Sequence, residues 1–238
     1  MIRVVLLGYG AMGRELERLA PATGCAVVGI YDEAQPLTDH SSDEYDVAID
    51  FTLPNAIANN VKTVCAQHRN MVIGTTGWYD KMSDLQAMQA AVGNGIVWGS
   101  NFSVGVQMFF RLVREASRLA NALPQYNVSM HEWHHTRKRD SPSGTAVTTR
   151  NIVLDELRRV SAMDIESIRE GNVVGKHIVT FTGPHDTIDI VHDASDRGGF
   201  AMGALQAARW IHGRTGWYDY TDVFDQMVAI QSGGHTKQ

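Results

Sequence analysis

The stretch Arg3-Val4-Val5-Leu6-Leu7-Gly8-Tyr9-Gly10-Ala11-Met12-Gly13-Arg14-Glu15-Leu16-Glu17-Arg18-Leu19 decides the fold. Val4 to Leu7 are β-branched or aliphatic, as in a strand, and from Arg14 onward the apolar residues return at helical spacing. Between the two lies G-x-G-x-x-G, Gly8 to Gly13, in the strand–turn–helix context that gives this motif meaning. A second strand-like run, Ala26 to Tyr31, ends at Asp32, about 20 residues beyond the glycines, where dinucleotide-binding sheets place an acid that accepts the ribose hydroxyls. Glycines let backbone N–H groups at a helix N-terminus approach a pyrophosphate, whose charge the helix dipole favours. Gly8, Tyr9, Gly10, Ala11, Met12, Gly13 and Asp32 are therefore candidate cofactor contacts. The expected fold class is α/β, opening with a Rossmann-type doubly wound parallel sheet.

The alternation continues outward. Val47 to Phe51 reads as a strand, Pro54 as the first turn of a helix reaching Gln67, Met71 to Ile73 as a strand, Met82 to Val92 as a helix and Ile96 to Trp98 as a strand. Two of these strands open into Gly74-Thr75-Thr76-Gly77 and Gly99-Ser100-Asn101-Phe102. A doubly wound sheet holds its ligand at such strand ends, although either loop taken alone fits ordinary turn chemistry. Val104 to Leu123 has helical spacing and stops before Pro124. Beyond it the period becomes two: Tyr126, Val128 and Met130 alternate with polar neighbours, and strand-like runs follow at Ile165 to Ile168, His177 to Phe181 and Ile188 to Val191. This predicts a second, α+β substrate domain on an open mixed or antiparallel sheet. A helix from Gly199 to Ile211 returns to the first domain, and Gly233 to Gln238 reads as a loose tail. The expected domains are 1–103 with 198–238, and 104–197.

Composition narrows the function classes. The 238 residues are 44% apolar and 20% charged with a formal charge of −5, which argues against a disordered chain and against phosphate-backbone binding to nucleic acid. Cys25 and Cys65 lack the spacing of a zinc knuckle or redox pair. No apolar run is long enough for a spanning helix and no basic leader precedes the first strand, so a cytoplasmic protein without a membrane partner is expected.

The densest chemistry is His131-Glu132-Trp133-His134-His135-Thr136-Arg137-Lys138-Arg139-Asp140-Ser141-Pro142-Ser143-Gly144-Thr145-Ala146. Ser143, Gly144 and Thr145 fall at the expected start of a helix running to Val160, offering hydroxyls and backbone N–H groups to a carboxylate. Lys138 and the histidines supply positive charge and transferable protons, a combination suited to a small acidic substrate. His131 to His135 also spells H-E-x-x-H, but the alternation predicts a strand, which separates the two histidines by about 13 Å instead of bringing them to one helical face. A serine hydrolase built on Ser143 with His134 or His135 lacks a nucleophile elbow.

Taken in order, Gly8–Gly13, Ile49-Asp50-Phe51-Thr52-Leu53-Pro54, Val72–Gly77, Ser100–Val106, His134–Ala146 and Ser167–His177 resemble the 4-hydroxy-tetrahydrodipicolinate reductase (dihydrodipicolinate reductase) family of bacterial lysine and diaminopimelate biosynthesis. The resemblance spans nearly the whole chain. It implies a catalytic His134, a substrate-binding His135, a proton-donating Lys138, and a carboxylate grip at Ser143, Gly144 and Thr145. It further implies a pyrophosphate loop at Gly8 to Gly13, Asp32 on the ribose, and Gly74 to Thr76 and Gly99 to Phe102 around the nicotinamide. A homotetramer built through the substrate-domain sheets, no metal, and closure hinged near Ser103–Gly105 and Arg197–Gly199 are implied as well. The implied reaction loses the 4-hydroxyl as water and delivers hydride to that ring carbon; whether His134 or Lys138 gives the proton stays open. Relatives that use NADPH well carry a basic residue after the ribose acid, where this chain has Glu33, and no Lys or Arg occurs between Arg18 and Lys62. NADH is therefore the expected cofactor, with NADPH weaker. The rivals are another two-domain nicotinamide enzyme, such as an amino-acid dehydrogenase, and a nucleotide-sensing module without turnover.

Overall fold

The computed structural model describes residues 1–38, 41 and 44–233; of the tail expected over Gly233 to Gln238, Gly233 instead ends a helix and the rest lies outside the described residues. The chain divides into two compact units, Met1–Val104 with the segment from Gly198 onward, and Gly105–Arg197.

The first unit alternates strand and helix: β1 (Ile2–Leu7), α1 (Ala11–Leu19), β2 (Cys25–Tyr31), β3 (Val47–Asp50), α2 (Ile57–Ala66), β4 (Asn70–Ile73), α3 (Met82–Val92) and β5 (Gly95–Trp98). The aliphatic character of β1 follows from its place, since Val4, Val5 and Leu6 are fully buried between layers on both faces. Helix α2 starts at Ile57, later than Pro54 signals, because Thr52 is tied back to Asp50 and a turn closed by the Ala56 N–H on the Leu53 carbonyl precedes it.

The second unit begins as α4 (Val104–Asn121) leaves the first, and continues with β6 (Asn127–His134), α5 (Gly144–Glu156), β7 (Ile165–Arg169), β8 (Gly175–Thr182) and β9 (Thr187–Ala194). Its four strands run in the order β7-β6-β8-β9, with β6–β7 parallel and the other pairs antiparallel. One face packs Met130, Val179 and Phe181 under Val106, Phe109 and Val113 of α4 and Ala146 and Val153 of α5. Helix α5 stops short of the expected Val160 because Leu157 leaves the helix to be fully buried in this core.

The chain then returns to the first unit with α6 (Gly198–Ile211), β10 (Gly216–Asp219) and α7 (Tyr220–Gly233). The completed six-stranded sheet has the order β10-β5-β4-β3-β1-β2, every pair parallel. Leu16 of α1, Ala204, Leu205 and Ala208 of α6 and Val223 of α7 cover one face, and Val61 of α2 and Leu85 of α3 cover the other. The doubly wound reading therefore holds. Strand β10 and helix α7 were not expected from the sequence, because Gly-Trp-Tyr-Asp carries neither an aliphatic run nor alternation and depends on pairing with β5.

Candidate active site

In the first unit the candidate cofactor loop is set by close approach. Gly8 has φ +90°, and a Cβ there would stand 2.5 Å from the Phe51 carbonyl oxygen. A Cβ on Gly13 would stand 2.5 Å from the Gly8 carbonyl oxygen. Gly10 forms the N-cap of α1 without a side-chain cap and has open space around it, leaving the first N–H groups of the helix directed outward beside exposed Ala11. Tyr9 and Met12 are half-buried against the core, and the Tyr9 hydroxyl donates to Glu17. Asp32 lies exposed just beyond β2, its Oδ1 accepting from the N–H groups of Ala34 (2.9 Å) and Gln35 (3.0 Å). A cavity of about 350 Å³ is bounded by Gly8, Asp32, Glu33, Thr52, Asn55 and Asn59, among others, and among the described residues its lining includes no lysine or arginine. This glycine cradle, uncapped helix end and acid-edged cavity fit a dinucleotide.

The next two loops meet at a residue that sequence reasoning passed over. Asp50, fully buried at the end of β3, accepts from the Thr52 N–H (2.9 Å), the Thr52 hydroxyl (2.7 Å) and the Thr75 hydroxyl (2.8 Å), while its other oxygen takes Asn60 Nδ2 (2.8 Å). Burial raises its carboxyl above the ordinary range, with these hydrogen bonds opposing. Thr75 is thus committed to holding its loop, and Thr76 beside it is exposed. Gly74 is required by the Phe51 ring, 2.2 Å from where a Cβ would be. In the last loop Gly99 is buried against Tyr220, Ser100 is exposed, and Asn101 Oδ1 accepts from the Ser103 N–H at 2.9 Å. The Phe102 ring is 2% exposed and stacks 4.4 Å from Tyr220, so Phe102 offers a ligand its backbone rather than its side chain.

In the second unit β6 carries the chemistry as a strand, so the helix required by an H-E-x-x-H zinc site does not form. Alternation puts Met130, Glu132 and His134 on the covered face. Glu132, fully buried, accepts through Oε1 from the Ser143 N–H (3.0 Å), the Ser167 hydroxyl (2.7 Å) and Arg169 Nη2 (3.1 Å). Burial pushes its carboxyl up, but the bonds from Ser143, Ser167 and Arg169 outweigh it and hold the pKa at about 2. Its other oxygen faces His134 Nδ1 at 3.4 Å and His177 Nε2 at 3.7 Å. Burial lowers the pKa of His134 to about 4, against the pull of Glu132, and that of His177 to about 3, with His134 adding to the effect.

Ser143 caps α5, its Oγ accepting from the Ala146 N–H at 3.1 Å and lying 3.3 Å from His177 Nε2. At 2% exposure and with its N–H given to Glu132, Ser143 is not an accessible nucleophile; beside it in the first turn Gly144 is exposed and Thr145 half-buried. His135 is half-buried, and Lys138 Nζ pairs with Asp140 at 2.9 Å. In this unit Glu132, Arg169 and His177 are residues that sequence reasoning did not single out, as Asp50 is in the first. Glu132 was two positions from His134 in an alternating strand, which is the signal that could have found it.

A nucleotide-binding parallel sheet in one unit and a histidine–lysine segment leading into a helix N-terminus in the other define a two-domain oxidoreductase with a pyridine nucleotide cofactor. Family models described as the N-terminus and the C-terminus of dihydrodipicolinate reductase match residues 2–102 and 105–224. The chain belongs to the dihydrodipicolinate reductase family. It is 34% identical to the 4-hydroxy-tetrahydrodipicolinate reductase of Christiangramia forsetii over 95% of this chain and 99% of that one, and 38% identical to that of Methanoregula boonei over 77% and 76%. Among solved structures, the dipicolinate-bound dihydrodipicolinate reductase of a Paenisporosarcina species superposes with a TM-score of 0.74 at 20% identity, covering 94% of this chain and 99% of that one.

Proposed function

We propose that the chain reduces 4-hydroxy-2,3,4,5-tetrahydrodipicolinate to tetrahydrodipicolinate with loss of water, in lysine and diaminopimelate biosynthesis, and that it prefers NADH. The oxidoreductase class follows from the family. The observation that carries the substrate assignment is the segment from His134 to Thr145, which combines an imidazole and an ammonium with the N-terminus of α5. When bound, the nicotinamide supplies hydride. Gly8 to Gly13 hold its pyrophosphate, Asp32 its adenosine ribose, and the loops at Gly74–Thr76 and Gly99–Phe102 its nicotinamide end. Gly144 and Thr145 receive one substrate carboxylate, with His135 beside them. Hydride addition next to a conjugated imine builds negative charge on the ring; the Lys138 ammonium and the His134 imidazole stabilise that charge and supply the proton. No metal takes part in this reading.

The NADH preference is supported by the acid-edged cavity. A 2′-phosphate placed there would meet Asp32 and Glu33 with no lysine or arginine among the described lining residues to offset them. Assembly into a homotetramer is supported by the uncovered face of the second sheet, where Val191 is 50% exposed and lies opposite Ile178. Division at 103/104 and 197/198, the first cut one residue before the 104/105 boundary of the compact units, hinged closure and a cytoplasmic location complete the reading. Separately, no helix among the described residues is long and apolar enough to cross a membrane. A coupled assay tests the whole: the upstream synthase generates the hydroxy compound, and the protein should accelerate NADH oxidation. Consumption no faster than in its absence overturns the assignment.

A further inference from the structure

Glu132 belongs to none of the roles assigned above, yet its carboxylate reaches both halves of the second unit's chemistry. Oε1 is saturated by Ser143, Ser167 and Arg169. Oε2 is buried without a hydrogen-bond donor, as is His134 Nδ1. The two face each other at 3.4 Å, closer than the 3.7 Å from Oε2 to His177 Nε2, and His177 Nε2 has Ser143 Oγ nearer at 3.3 Å. Leaving a buried carboxylate oxygen without a donor costs free energy, and a neutral imidazole has one N–H to give. Residue 175, beside the other edge of the His134 ring, is glycine; a Cβ there would stand 3.1 Å from Nε2.

Resting on the reductase reading above, we propose that Glu132 is the positioning residue of the reaction: it holds His134 in the Nδ1–H tautomer, so that Nε2 is the nitrogen presented to substrate. The 3.4 Å contact shortens into a hydrogen bond when the ring is charged or ligand is bound, as unliganded catalytic contacts commonly do. Glu132, His134 and His177 also bring three ligand atoms within 4.8 Å of one another, but the Arg169 guanidinium already neutralises the carboxylate, which favours a hydrogen-bonded set over a cation site.

Two measurements on the full chain test this. In protein carrying isotopically labelled histidine, with His134 assigned by its loss in His134→Gln, carbon and nitrogen shifts should report Nδ1–H in the wild type and a change toward Nε2–H in Glu132→Gln. In the coupled assay Glu132→Gln should lower kcat at least about tenfold, within the range that a positioned acid or base supplies, while NADH affinity changes less than about twofold. Added to His134→Gln, it should cost nothing more, because it acts through that ring. A wild-type Nε2–H tautomer, an unchanged kcat in the single variant, or losses that multiply in the double variant overturn the proposal. The tautomer is read on the wild type, so it decides the matter even if Glu132→Gln does not fold. Absence of wild-type turnover would instead defeat the reductase reading.

Discussion

The Ser143 backbone N–H donates to Glu132 Oε1 at 3.0 Å, fixing the N-terminus of α5 to the strand that carries His134. The helix N-terminus and the His134 strand thus share one buried carboxylate. Ser143→Ala keeps that bond but removes the cap on the Ala146 N–H. We expect a stability loss of about 1 kcal/mol with a rise in substrate KM, measured by urea unfolding and steady-state kinetics; unchanged unfolding would show that the cap carries no stability.

His134→Gln and Lys138→Ala should each cut kcat by about 100-fold or more, the scale of a positioned acid or base. NADH affinity, measured by fluorescence titration, should stay within about twofold. Equal loss of NADH binding would mean that these side chains belong to the cofactor site instead.

Acid should destabilise the protein early. The ordinary histidine value is about 6.5, and burial holds His134 near 4 and His177 near 3. Between those values the unfolded chain takes up protons that the folded chain does not, so stability is full above pH 6.5 and is lost as pH falls toward 4 and then 3. Glu132, held at about 2 against an ordinary 4.5, contributes stability present above pH 4.5 and lost as pH falls through 2. The urea midpoint should therefore decline from pH 7 to pH 5, and His177→Gln should flatten that decline. A level midpoint across this window would contradict the burial argument.

With the wild type, kcat/KM should be higher for NADH than for NADPH. Glu33→Arg places a cation beside the cavity edge and should raise NADPH efficiency about tenfold, one phosphate–guanidinium contact being worth on the order of 1.4 kcal/mol. Equal wild-type efficiencies would reverse the cofactor assignment.

Much of this molecule was legible before any coordinates. The glycine spacing after β1, the acid after β2 and the change from helical period to period two near Tyr126 each depend on neighbours close in sequence, so local pattern reported them. Strand β10 and helix α7 escaped because a four-residue edge strand is made by pairing with β5, far away in the chain. Pro54 misled for a similar reason: the tie from Thr52 to Asp50 displaced the helix start.

By itself the sequence determined the parallel nucleotide-binding sheet, the second mixed sheet and the histidine–lysine segment of the candidate site, since these follow from periodicity and motif chemistry. Only the tertiary structure decided which side chains in that segment are free to meet a ligand. It spent Ser143 on a helix cap, committed Thr75 to Asp50, buried the Phe102 ring, and set Glu132 behind His134 with Arg169 and His177 from other strands. The reason is that a buried polar group must find its partner wherever the fold brings one: Arg169 and His177 reach Glu132 from strands that no local spacing connects to it, although its spacing to His134 was local.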